Sequence, residues 1–390
     1  MELVVGQFND SYEPVMDGVA NVTKNYAYWL EKKGCKTYVI TPNVPGYQDT
    51  SFPEVKRYFS VPLPYRRPYR LGIPQVDYSF KHDVKNIPFD IVHCHSPFSS
   101  GQLALKIAKK RGIPAVATFH SKFYDDFKDA VKLDSLAKFL TTIIVDFYNK
   151  VDSVWTVNQS TADTLKEYGY KGNIEIVYNG ADFPIYNEDK ELIKKANDYL
   201  KVGEKELVFL FVGQHIWQKN LKMLMEALRI LKIKEIKYKM FFVGEGIAKK
   251  NLEKMVDDYN LNECVKFLGL ITDRSLLQLC FLRADLFLFP SLYDTSGIVV
   301  REAAAVKTPS LVIANSNAAE GIEDNVNGFV SLNNEEAFAQ RIIEIINDRE
   351  KLKIVGERAQ KTIYRSWEDI VEEVKLRYIE LIKSKNKKFI

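Results

Sequence analysis

Short, wholly apolar runs alternate along this chain with longer stretches in which apolar residues recur every three or four positions. The first pattern is that of strands buried on both faces, the second that of amphipathic helices. One stretch shows the alternation most plainly. Leu286–Phe289 is an apolar run, Pro290–Gly297 a polar loop, Ile298–Ala305 a helical stretch, and after Pro309 the chain resumes as strand over Leu311–Ala314. Strands are expected likewise at Glu2–Phe8, Thr37–Thr41, Asp90–His95, Ala115–Phe119, Asp152–Thr156, Ile174–Val177, Leu207–Val212, Lys239–Val243 and Val265–Leu268. Helices are expected between them, at Asn21–Lys33, Gln102–Arg111, Ser160–Tyr168, Glu188–Lys201 and Leu276–Arg283. Another starts at Leu221 with Asn220 as its N-cap, and one is opened by Gly244-Glu245-Gly246 and runs through Tyr259. Glu335–Asn347, Arg349–Tyr364 and Trp367–Lys383 close the chain as helices, ahead of a frayed lysine-rich tail. Ser51–Asp90 reads as irregular because prolines interrupt it. The result is two βα-repeating halves, 1–183 and 184–364, followed by a terminal segment, 365–390. That predicts an α/β protein of two Rossmann-like domains.

Length supports this division, since 390 residues exceed one ordinary core and suit two α/β domains. A net charge of +4, with basic and aromatic residues not interleaved in one stripe, argues against nucleic acid as a partner. Cys35, Cys94, Cys264 and Cys280 have neither CxxC pairing nor zinc-ligand spacing, as expected of buried thiols in a reducing compartment. The N-terminus, MELVVGQFND, lacks a basic region followed by an apolar core, and no apolar run is long enough to span a bilayer. A cytoplasmic protein is expected.

The candidate chemistry lies in loops that follow strands, where open α/β sheets bind ligands. Asp294 sits just ahead of the Ile298–Ala305 helix, and Glu302 lies four residues after Ile298 on the same face. The N–H groups of Thr295, Ser296, Gly297, Ile298 and Val299 offer an anion site at the helix start. A nucleotide sugar fits there, with diphosphate on the N–H groups, ribose on Glu302 and sugar hydroxyls near Asp294. An aspartate so placed is also an ordinary helix cap. Lys219 stands at a helix N-terminus, where its charge opposes the dipole, so it calls for an anionic partner. His120 follows a strand directly. His93 and His95 alternate on one strand and share a side, His95 as the pocket candidate and His93 as a structural residue. Gly18, in the first βα turn, permits close backbone approach to a ligand. Histidines and carboxylates form no metal set.

The stretch YDTSGIVVREAAAVKTP, with an acid separated from Glu302 by seven residues, resembles the donor-site signature of retaining family-four glycosyltransferases with the GT-B fold. That resemblance covers nearly the whole chain. It implies two facing Rossmann-like domains, the first for the acceptor and the second for the nucleotide-sugar donor, with a C-terminal helix crossing back to the first. It also implies that Lys219 binds diphosphate, that Gly213 precedes the donor loop, that His120 stands beside the donor sugar, and that Gly18 matches the family's glycine. Three positions depart from the family pattern. Asp294 replaces the usual glutamate, Gln214 stands where an arginine usually follows Gly213, and Asp17 stands where a second glycine is common.

The activity implied is transfer of a hexose, glucose-like and expected to be UDP-linked, to a lipid or glycan acceptor, leaving an α-linkage and needing no metal or cofactor. His120, Lys219 and Asp294 are the expected catalytic residues. SYEPVMDGVAN, HSPFSSG and TFHSKFYDDF look most like diacylglycerol glucosyltransferases. The basic and aromatic loop Tyr65–Arg70 and the lysine tail suit peripheral contact with the inner face of a membrane. A nucleotide-sugar epimerase, a sugar phosphorylase or a non-catalytic GT-B partner subunit are the alternatives.

Overall fold

The computed structural model describes residues 2–387 except Met16, 50–51, 64–67, 121–122, Glu188 and Thr295. Thr295, Tyr65, Arg66, Arg67 and Lys388 therefore lie outside the described residues. The chain forms two units, one of residues 1–179 with 367–390, the other of residues 180–366.

Unit 1 contains β1 (Leu3–Phe8), α1 (Gly18–Lys32), β2 (Cys35–Pro42), β3 (Glu54–Tyr58), β4 (Ser60–Pro62), β5 (Arg70–Gly72), α2 (Tyr78–Asn86), β6 (Ile91–Cys94), α3 (Ser99–Arg111) and β7 (Ala115–Phe119). It continues with α4 (Phe123–Val131), α5 (Asp134–Tyr148), β8 (Ser153–Thr156), α6 (Gln159–Glu167) and β9 (Glu175–Ile176). Its parallel sheet runs β3-β2-β1-β6-β7-β8-β9. Both faces are covered by helices, which is why the central strands read as unbroken apolar runs.

The region expected to be irregular is ordered. It holds β3, the antiparallel β4–β5 hairpin and α2. The prolines do not interrupt these elements because they sit at their margins: Pro53 precedes β3, Pro62 ends β4, and Pro88 follows α2. Arg70 of the expected membrane loop is engaged locally, donating from Nε to Ser60 Oγ at 2.7 Å and from Nη2 to Ser60 O at 3.0 Å. Helix α1 starts a turn earlier than expected, because Asp17 caps it by accepting from Ala20 N.

Unit 2 contains α7 (Lys190–Leu200), β10 (Val208–Val212), α8 (Leu221–Ile233), β11 (Lys239–Val243), α9 (Lys249–Asp258), β12 (Val265–Gly269), α10 (Arg274–Arg283) and β13 (Leu286–Phe289). It ends with α11 (Ile298–Ala305), β14 (Ser310–Ile313), β15 (Phe329–Ser331), α12 (Glu335–Ile346) and α13 (Arg349–Thr362). The parallel sheet runs β12-β11-β10-β13-β14-β15. Gly244-Glu245-Gly246 does not open α9, which begins only at Lys249. The glycines instead shape a turn laid on the loop after β10: a Cβ on Gly244 would lie 2.0 Å from Gly213 O.

The last helix, α14 (Trp367–Lys387), packs within unit 1. Trp367, Ile370, Val371, Val374 and Tyr378 form its buried stripe at helical spacing. Lys33 pairs with Glu368 and Glu372, Arg377 with Glu175, and Lys385 with Asp152. The lysine tail is thus helical through Lys387 and tied down at Lys385, not frayed.

Candidate active site

Strand order in unit 2 reverses at β10, which lies between β11 and β13. Such a reversal parts the loops leaving the two neighbouring strands and opens a crevice at their carboxyl ends. The loop after β10 runs Gly213–Asn220, and the loop after β13 runs Pro290–Gly297. An ion pair joins them: Lys219 Nζ donates to Asp294 Oδ1 at 2.8 Å. Two of the residues singled out as catalytic in the sequence, 75 positions apart, therefore meet. The anion that meets Lys219 in the structure is this carboxylate.

Local structure explains how Lys219 reaches it. The chain turns through a short 3₁₀ segment, Trp217–Lys219, and then Asn220 adopts φ 60° before α8 begins. Asn220 does not cap α8 with its side chain as expected. Its amide donates to Asn333 Oδ1 at 2.7 Å and so ties this loop to the one after β15. Gly213, at φ +154°, lacks the Cβ that would stand 3.1 Å from Lys219 Nζ. Ser291 Oγ accepts from the N–H groups of Tyr293 and Asp294, which fixes the second loop. The other oxygen of Asp294, Oδ2, is buried with no hydrogen-bond partner among the described residues. A buried acceptor left unpaired costs free energy, so this oxygen is poised to accept from a ligand hydroxyl.

Helix α11 follows, with Gly297 at φ 53° in its N-cap position. Helix geometry leaves its first N–H groups without intrahelical partners. Glu302 is buried, at 3% exposure, and Arg274 Nη2 donates to its Oε1 at 2.5 Å. Burial pushes the Glu302 carboxyl up and the Arg274 guanidinium pulls it back, leaving it raised overall. Arg274 also lies 3.4 Å from Asp182 Oδ2 and over the Phe183 ring. The sequence signals Glu302 as a charge among alanines and valines. It does not signal Arg274, the first residue of another helix, 28 positions away.

A buried carboxylate stripped of its partner is costly, although Arg274 is half-exposed and screened by solvent. Arg274→Gln is therefore expected to cost about 1–3 kcal/mol of stability. Adding Glu302→Gln should restore most of it. Urea unfolding of the single and double variants measures both, and equal losses in the two would show that the pair carries no charge coupling.

His120 and Gly18 belong to unit 1. His120 sits at the carboxyl end of β7 and is nearly buried. Its Nε2 is 3.1 Å from His95 Nδ1, and His95 Nε2 is 2.7 Å from Gln7 Oε1. His95 stands behind His120 rather than lining a pocket of its own. Burial pushes the His120 pKa down to about 3, and those of His93 and His95 well below the usual value, so all three are neutral. Gly18 opens α1, and a Cβ added to it would meet nothing within 4 Å, so neither packing nor backbone conformation demands glycine there.

Residues 16–183 match the Glycosyltransferase Family 4 model, and residues 193–362 match the Glycosyl transferases group 1 model. The alpha-monoglucosyldiacylglycerol synthase of Acholeplasma laidlawii is 27% identical over 98% of each chain. The synthase of the same name from Streptococcus pneumoniae is 25% identical, covering 80% of this chain and 71% of that one. Among solved structures, a sucrose-phosphate synthase from Thermosynechococcus elongatus superposes with a TM-score of 0.81 at 17% identity, covering 98% of this chain and 100% of that one. Anabaena Alr3699/HepE in complex with UDP-glucose gives a TM-score of 0.76 at 18% identity, over 98% and 100%.

Proposed function

The chain belongs to the GT-B glycosyltransferases, built from a family 4 domain and a group 1 domain, and on that premise we propose that it makes an α-linked glucosyl diacylglycerol from a UDP-linked glucose donor. The observation that carries the acceptor is the end-to-end similarity to a synthase of that lipid. The donor roles rest on the geometry of unit 2. Lys219 takes the diphosphate, exchanging Asp294 for phosphate oxygens, with Gly213 leaving room beside it. The N–H groups of Ser296, Gly297, Ile298 and Val299 supplement that charge; Thr295 is assigned with them on the resemblance alone. Asp294 Oδ2 accepts from a sugar hydroxyl, and Glu302 accepts from the ribose. His120 accepts from a sugar hydroxyl, and Gly18 lies at the acceptor loop.

In the reaction the bond from the anomeric carbon to the diphosphate oxygen breaks and a bond to the acceptor hydroxyl oxygen forms. The hydroxyl proton leaves with the diphosphate, and retention places the new bond on the face the diphosphate left. A cation clamp stabilises the leaving group's growing charge, a part that Lys219 fills without a metal ion or cofactor. Among the described residues no helix is long and apolar enough to cross a membrane. The proposed contact with the lipid acceptor is peripheral, at the cytoplasmic face, and rests on the similarity to the lipid synthases.

The test is incubation with UDP-glucose and diacylglycerol vesicles, with and without anionic lipid and with EDTA present. The expected product is a monoglucosyl lipid by mass, with the small anomeric proton coupling of an α-linkage. Absence of that lipid under every vesicle condition, with isomerised nucleotide sugar formed or a soluble glycan glucosylated instead, overturns the acceptor assignment.

A further inference from the structure

Behind His120 lies a continuous line of buried hydrogen-bonding groups, drawn from four elements of unit 1. Gln7 is on β1, His93 on β6 with His95 just beyond it, Thr118 on β7 with His120 just beyond it, and Tyr378 on α14. Gln7, His93 and Tyr378 have no exposure at all. From His120 the line runs to His95 at 3.1 Å, to Gln7 Oε1 at 2.7 Å, and from Gln7 Nε2 to Tyr378 Oη at 3.2 Å. It continues from Tyr378 Oη to His93 Nδ1 at 2.5 Å and from His93 Nε2 to Thr118 Oγ1 at 2.7 Å.

The protons along this line can be counted. Gln7 presents its oxygen to His95 Nε2, so that nitrogen must carry a hydrogen. A neutral imidazole has only one, which leaves His95 Nδ1 as an acceptor and makes His120 Nε2 the donor to it. His120 Nδ1 is then bare. On the other side the Gln7 amide donates to Tyr378, the Tyr378 hydroxyl donates to His93 Nδ1, and His93 Nε2–H donates to Thr118. Each group from His120 to His93 gives one hydrogen onward, and Thr118 Oγ1 receives the last.

Gln7 is the element that sets the direction, and its amide could otherwise turn over. Turned, it would give N–H to His95, reverse both rings, and put a hydrogen on His120 Nδ1. In the structure Gln7 Nε2 faces Tyr378 Oη and Gln7 Oε1 faces His95 Nε2, so the hydroxyl is the acceptor that the amide nitrogen has in this orientation. Tyr378 is itself held by its stack on Trp155, 5.6 Å between centroids at 11°, and by the neighbouring ion pair of Arg377 with Glu175. The hydroxyl thus lies beyond Gln7 and His95 from His120, and acts on it only through them.

We propose that Tyr378 of the C-terminal helix is a positioning residue which, through Gln7 and His95, fixes His120 as the Nε2–H tautomer and keeps Nδ1 an acceptor for a substrate hydroxyl. The last part rests on the assignment of His120 above; the tautomer does not. The C-terminal helix then has a part in the chemistry besides closing the core of unit 1.

The test combines nitrogen-15 NMR of histidine-labelled protein with steady-state kinetics, on the wild type, Tyr378→Phe and Gln7→Met. In the wild type His120 should show protonated Nε2 and bare Nδ1 from pH 6 to pH 8, a range chosen about the ordinary histidine pKa of about 6.5. Either variant should yield a mixture of tautomers at His120. Turnover should fall about tenfold, the effect of one hydrogen bond, while KM for UDP-glucose changes by less than about threefold. Gln7→Met leaves α14 intact and serves if Tyr378→Phe fails to fold. A wild-type His120 protonated on Nδ1, or a single unchanged tautomer in the variants, overturns the proposal. A tautomer change with unaltered turnover would instead remove His120 from the reaction while leaving the positioning line standing.

Discussion

Lys219→Ala is expected to lower turnover at saturating donor by about a hundredfold to a thousandfold, the range found on removing one preorganised charge-stabilising donor. The affinity for intact donor should fall much less. The reason is the direction of charge flow. Charge on the diphosphate grows as the anomeric bond breaks, so a cation beside it binds the transition state better than the ground state. Asp294 makes the effect larger. With Lys219 gone, the carboxylate that it balances faces the departing phosphate unneutralised, and like charges repel. A double variant, Lys219→Ala with Asp294→Asn, should therefore recover part of the loss. Steady-state kinetics with isothermal titration of UDP measures the two quantities separately. Normal turnover per enzyme at saturating UDP-glucose would place the clamp elsewhere. Arg301 is no replacement, because its guanidinium donates to Ile363 O at 3.0 Å.

The pairing of Lys219 with Asp294 shows what a sequence carries and what it does not. Each residue stands out by its place in a loop or at a helix start, which is a local property and can be read from neighbours. That they touch depends on β10 and β13 being adjacent, which is a property of strand order. The same holds for Glu302, conspicuous among small apolar residues, and Arg274, which nothing local marks. His93 and His95 share a side by strand alternation alone, yet the engagement of His93 by Tyr378 requires α14 to lie on that side.

Secondary structure divides the same way. Central strands were legible because burial on both faces makes them unbroken apolar runs. Helices α4 and α5, for which no element was expected, were not. In α5 the buried Ala137, Thr141 and Ile144 alternate with exposed Leu136, Phe139 and Ile143, so apolar residues lie on both sides and the helical period is blurred. The prolines of 51–90 misled for a different reason. A proline forbids an element only in its interior, and these stand at the edges.

Acid should unfold unit 1 steeply, and this is the largest stability effect expected of the molecule. His93, His95 and His120 are buried and neutral, with His120 pushed down to about 3 and the other two also well below the usual value. In the unfolded chain each titrates near the ordinary histidine pKa of about 6.5. Above that value neither state binds these protons, and stability does not depend on them. Below it the unfolded chain binds up to three protons that the folded chain refuses, so stability falls as pH falls. Each contributes about 1.4 kcal/mol per pH unit, so the three together reach about 4 kcal/mol per unit. About two units below the onset, that exceeds the lower part of the 5–15 kcal/mol that holds a typical domain. Among the described residues the titratable groups in contact with the array offer no counter-charge: Tyr26 from α1 and Tyr378 from α14 lie against it, both with pKa values pushed up by burial. Glu302, in unit 2 and raised by burial, works in the opposite direction. Urea midpoints followed from pH 7.5 to pH 4.5, about this onset, should therefore drop steeply below about pH 6. The slope should lessen by about a third in His93→Gln, whatever that substitution does to stability at neutral pH. A stability that stays level down to the acid end of this range would mean that the histidines take up protons in the folded state, and the neutral, ordered line behind His120 would not exist.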